Sequence, residues 1–62
     1  MSIFTDPLAA IEEAEYEAEM TGWPQSIIRH GDAMTIMAYH DAILERVYVL
    51  ETVNPPAWEA VA

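Results

Sequence analysis

Two histidines are each followed closely by an aspartate, in His30-Gly31-Asp32 and in His40-Asp41. An imidazole beside a carboxylate is the pairing that both general acid-base chemistry and metal ligation use. The surrounding sequence supports neither use. Both pairs stand at expected turns, where aspartate is favoured because its side chain bonds nearby backbone. Two imidazoles with no cysteine and no helical histidine spacing also make a poor zinc site. The chain contains no glycine-rich phosphate loop, nucleophile elbow or His-Glu-x-x-His segment. Glu12 and Glu13 are adjacent, but adjacent helical residues diverge by about 100° and do not form a carboxylate dyad. The sequence therefore leads us to expect no catalytic residue, no metal and no cofactor, and a protein that binds rather than one that catalyses.

What remains as chemistry is charge. Eleven Asp and Glu stand against Arg29 and Arg46, for a formal charge of −9 in 62 residues. Such an excess repels nucleic acid and anionic membranes and seeks a cationic partner. Asp6, Glu12, Glu13, Glu15, Glu17 and Glu19 put six of the acids, and no base, before Gly22. Asp32, Asp41, Glu45, Glu51 and Glu59 follow along the remainder. The aromatics Phe4, Tyr16, Trp23, Tyr39, Tyr48 and Trp58 would suit base stacking, but a stacking platform works with a basic groove and the field here has the opposite sign. Trp23 and Tyr48 are accordingly expected to pack in the core or at its rim.

The element that must carry the first six acids is a helix over about 7–21. Thr5 or Asp6 is a good N-cap, Pro7 suits the first helical position, and Gly22 fits the residue just past the end. At about 100° per residue, Pro7, Ala10, Ile11, Ala14, Ala18 and Thr21 share one side, made mostly of small side chains that let a sheet approach closely. Ala9, Tyr16 and Met20 lie opposite. Between the two stripes run two acidic ridges, Glu12, Glu15 and Glu19 on one flank and Glu13 and Glu17 on the other. The Tyr16 and Met20 stripe reads either as scattered exposed apolar surface or as an apolar contact for a partner or second copy.

After Gly22-Trp23-Pro24 the composition turns β-branched and aromatic. Strands are expected over about 25–29 and 33–39, joined by a hairpin turn at either His30-Gly31 or Gly31-Asp32, and over about 46–53, ended by Asn54-Pro55-Pro56. Residues 41–46 fit either a helical turn capped by Asp41 or an extension of the last strand. Residues 54–62 form a tail that Trp58 and Val61 would anchor. The whole reads as one α+β domain over 1–62, an N-terminal helix packed on a three-stranded antiparallel β-meander in two layers, with two open sheet edges.

Size sets the limits of that domain. A chain of this length buries only about 60% of the surface it exposes when unfolded, and only fourteen of its residues are Ile, Leu, Val or Phe. With no cysteine, stability must come from packing or from a partner. The first residues carry no basic segment followed by an apolar run, and nowhere do eighteen apolar residues run together, so the expectation is a soluble, cytoplasmic protein.

A cysteine-free, strongly acidic single domain of this length resembles the small phage-encoded inhibitors of host defence, especially anti-CRISPR proteins that mimic DNA. Asp6, Glu12, Glu13, Glu15, Glu17 and Glu19, with Asp32, Asp41, Glu45, Glu51 and Glu59, carry the likeness, which covers the whole chain by composition and no segment by motif. The resemblance implies a partner that is a basic nucleic-acid-binding protein or complex, such as a CRISPR effector whose lysines hold target DNA near the PAM. It implies no direct contact with nucleic acid or membrane, a monomer or weak dimer, and action in the host-cell cytoplasm. Glu12, Glu15 and Glu19 rise by about 4.5 and 6 Å along their ridge, of the same order as charges along a nucleic-acid strand. A Glu-rich face equally serves to keep a small domain soluble. The other reading from the residues is an interaction or homo-oligomeric module working through the Tyr16/Met20 stripe or an open sheet edge.

Overall fold

The computed structural model describes residues 3–56. Glu59 and the expected anchors Trp58 and Val61 lie outside the described residues. The elements are α1 (Pro7–Thr21), β1 (Gln25–His30), β2 (Ala33–Ala38), α2 (Tyr39–Glu45) and β3 (Val49–Val53). This is the α+β layout expected, with the first helix bounded as the sequence reads it. Asp6 is the N-cap, its Oδ1 accepting the Leu8 amide hydrogen at 3.1 Å. Gly22 closes the helix in the left-handed conformation, φ 77°, donating its N–H to the Ala18 carbonyl.

The hairpin turns on Gly31-Asp32, because His30 pairs with Ala33 and Ile27 with Ile36. Gly31 at φ 64°, followed by a residue of ordinary negative φ, is the pattern of a type II′ turn, whose twist matches that of the flanking strands.

Strand order departs from a meander. It is β2-β1-β3, so β1 is central and antiparallel to both neighbours. The cause is the segment 39–45, which is helix and not strand. Tyr39 opens α2 instead of extending β2, and β3 begins at Val49 instead of residue 46. The α2 N-cap is Ala38; Asp41 lies in the first turn and does not cap it. Arg46, at φ 58°, ends the helix. A helix between β2 and β3 carries the chain over the sheet and returns it on the far side of β1, parallel to β2.

Ile27 packs with Ala10 and Ala14, and Phe4, Ile11, Met34, Ile36 and Val53 surround this cluster. Ala10, Ala14 and Ala18 have no exposed surface, so the small-residue stripe is the one that meets the sheet. Ser26, Ile28 and Thr35, which alternate with the α1-facing positions, are buried on the other face. α2, in the connection from β2 to β3, packs on β1 and β2. α1 covers the Ile27 side of the sheet, and the burial of Ser26, Ile28 and Thr35 means that the opposite side is covered as well.

The core is shallow. Its largest fully buried side chains are Thr35 and Ser26. Trp23 and Tyr48, expected in or beside the core, stand in the connections between α1 and β1 and between α2 and β3, and are 56% and 74% exposed. One expected open edge is partly closed: Phe4 and Met34 exchange two backbone hydrogen bonds of 2.7 Å along the outer side of β2. The outer edge of β3 is unpaired among the described residues.

Candidate functional site

Glu12, Glu15 and Glu19 are exposed along one flank of α1, while Glu13 and Glu17 on the other flank are half-buried. The second pair interacts. Desolvation, a side-chain hydrogen bond to Glu17 and repulsion from the Glu17 charge together push the Glu13 carboxyl above its usual range. The other acids are exposed and dispersed: Asp32 in the hairpin turn, Asp41 and Glu45 on α2, Glu51 on β3 opposite Ile27. The structure therefore joins the acids of α1 into ridges but does not gather the later ones beside them. Arg29 and Arg46 make no ion pair with a carboxylate among the described residues. Tyr16 and Met20 project from the outer side of α1, 57% and 66% exposed.

The two histidines do not meet. His30 ends β1 and His40 sits beside its beginning, a separation of about 17 Å at roughly 3.3 Å per strand residue. His40 Nε2 lies 3.4 Å from Asp41 Oδ1, with both side chains more than half exposed. No group of three metal-ligating side chains occurs among the described residues.

A groove that the sequence reading did not foresee lies between the α1–β1 connection, the start of α2 and the end of β3. Trp23, Pro24, Tyr39, His40, Thr52 and Asn54 line a cavity of about 770 Å³. Its geometry begins with Thr21. The Thr21 hydroxyl donates to the Glu17 carbonyl at 2.8 Å, and its oxygen accepts the Trp23 amide at 3.2 Å and Gln25 Nε2 at 3.3 Å. Gln25, buried, also donates Nε2 to the Trp23 carbonyl. These bonds hold the Trp23 backbone on both sides. Across the groove, the Tyr39 amide donates to the Pro24 carbonyl at 3.0 Å, which docks the start of α2. The Trp23 and His40 rings then meet edge to face, centroids 6.0 Å apart. Trp23-Pro24 and Tyr39-His40 are each adjacent in the sequence, but only the docking of α2 brings the two segments together.

Comparison of the chain with protein-family models, characterised proteins and solved structures returns no match. The functional reading rests on the surface itself. Among the described residues no helix is long and apolar enough to cross a membrane.

Proposed function

We propose that this protein is an acidic mimic of nucleic acid that occupies a basic protein surface, acting by binding and without catalysis. Its target is a CRISPR effector complex, and it blocks target DNA binding in the host-cell cytoplasm. The observation that carries the reading is the exposed Glu12, Glu15 and Glu19 ridge on a helix whose acids no base offsets. Charges fixed along one rigid element retain their spacing on approach to a Lys/Arg channel, and the −9 total steers that approach. Asp32, Asp41, Glu45 and Glu51, being dispersed, extend the field instead of forming the contact.

Titrating DNA into a mixture of the protein and a CRISPR effector at two ionic strengths tests this. Displacement by DNA and weaker binding at the higher salt are expected. Reversing Glu12, Glu15 and Glu19 to Lys is expected to abolish binding. Affinity indifferent to both DNA and salt would overturn the reading.

A second reading follows from exposed apolar side chains. Ile43 and Leu44 on α2 and Tyr48 just before β3 are 54%, 78% and 74% exposed, a composition suited to an assembly contact. Light scattering over a concentration series separates the two: an oligomer that persists at high salt favours assembly, a monomer favours the mimic.

A further inference from the structure

We propose that the outer face of α1 docks along a basic amphipathic helix of the partner protein. The inference rests on the mimic reading and names the element that the basic partner presents. Tyr16 and Met20 stand one turn apart on the side of α1 opposite the buried Ala10, Ala14 and Ala18, and both are exposed. Glu12, Glu15 and Glu19 run along one side of this pair, and Glu13 and Glu17 along the other. An apolar stripe with charge on both sides is the pattern by which one helix selects another. The stripes interdigitate, and flanking residues of opposite sign set the partner and its register. A channel lined by Lys and Arg alone would give Tyr16 and Met20 nothing apolar to meet.

Charge decides the occupant. A second copy of this chain would bring the same five glutamates against these five, a like-charge juxtaposition that disfavours it. An anionic membrane is repelled in the same way. α1 itself lacks counter-charge: it contains no base, and Glu13 with Glu17 and Glu15 with Glu19 are like pairs four residues apart. Apart from the N-cap Asp6 the first turn holds no acid, whereas the last turn holds Glu19. Like pairs at this spacing repel, and an acid at the C-terminal end faces the negative pole of the helix dipole. Helix stability alone would favour the reverse arrangement. Lysines or arginines lying along both flanks supply what α1 withholds. The two residues of the stripe suit a contact: tyrosine offers a large ring with a polar tip, and the methionine thioether adapts to the surface it meets.

The test is a chemical-shift titration of the 15N-labelled full chain with three acetylated peptide amides at about 0.15 M NaCl. The first is built of leucine, alanine and lysine, with leucine at heptad positions a and d and lysine at e and g. The second has the same composition scrambled so that no apolar stripe forms, and the third is oligolysine of equal charge. The amphipathic peptide is expected to shift the Tyr16 and Met20 amides together with those of both flanks, and to bind at least about fivefold more tightly than either control. Tyr16→Ser combined with Met20→Ser is expected to weaken it about tenfold and to leave oligolysine binding unchanged, with circular dichroism checking the fold of the variant. The three peptides on the unaltered chain decide the matter even where that variant does not fold. Equal affinity for the ordered and scrambled peptides, shifts confined to α2 and β3, or undiminished affinity in a folded double variant would each overturn helix docking. None of those results touches the mimic reading, which stands or falls on competition with DNA.

Discussion

The Trp23 and His40 rings meet edge to face at 6.0 Å, with an interplanar angle of 70°. They belong to segments seventeen positions apart, joined only because α2 starts where β2 ends. A double-mutant cycle with Trp23→Ala and His40→Ala is expected to give a coupling of less than about 1 kcal/mol, since such pairs contribute roughly 0.5–1.5 kcal/mol and this one is largely exposed. Urea denaturation of the four proteins measures it.

The ends of α1 depend on one residue each. Asp6→Ala removes the acceptor of the Leu8 amide and is expected to cost about 1 kcal/mol. Gly22→Ala puts a Cβ in open space, so its expected cost of about 1 kcal/mol is the left-handed backbone alone. In a domain this small each change corresponds to roughly 4–8 °C in melting temperature, readable by thermal circular dichroism.

Ser26 has no exposed surface, and its buried hydroxyl has no hydrogen-bond partner among the described residues. Leaving a hydroxyl unsatisfied in an apolar environment costs about 1–3 kcal/mol by mutational measures. Ser26→Ala deletes the group at little cost in volume and is expected to raise the urea midpoint without changing the slope.

Ala14 is fully buried where α1 lies on Ile27. Ala14→Leu forces the helix off the sheet and is expected to destabilise by about 1–3 kcal/mol or more. Met20→Ala, on the exposed side of the same helix, is expected to stay within about 0.5 kcal/mol. Comparable losses from both would contradict the assignment of the buried face.

The raised Glu13 carboxyl gives stability a definite pH dependence. Because its folded pKa lies above the ordinary 4.5, the folded state holds the proton more tightly than the unfolded chain. Its contribution is therefore most favourable below the unfolded value and is lost as pH rises through the folded one. Glu13→Gln is expected to stabilise at pH 7 relative to the parent and to lose that advantage as the pH falls below 4.5. Melting curves at several pH values check the sign.

Features set by neighbours in the chain were legible in the sequence. Asp6, Pro7 and Gly22 bound α1, and the spacing of Ala10, Ala14 and Ala18 marks its buried side, because capping and helical period act over a few residues. The acidic ridges follow from the same period. The segment 39–45 was less legible: Tyr39 and Ile43 suit a strand, and only docking against β1 and β2 holds the segment as helix.

From sequence alone come the charge of −9, the helix that together with its N-cap carries six of the eleven acids, and the small-residue face that this helix must bury. Tertiary structure decided that β1 is central, that a second helix crosses the sheet, and that Trp23 and Tyr39 face a common groove. Those outcomes depend on which strand edge the chain returns to and on how little room Ala10, Ala14 and Ala18 leave beneath the helix. Both depend on contacts between residues far apart in the chain, which no local rule of propensity or period contains.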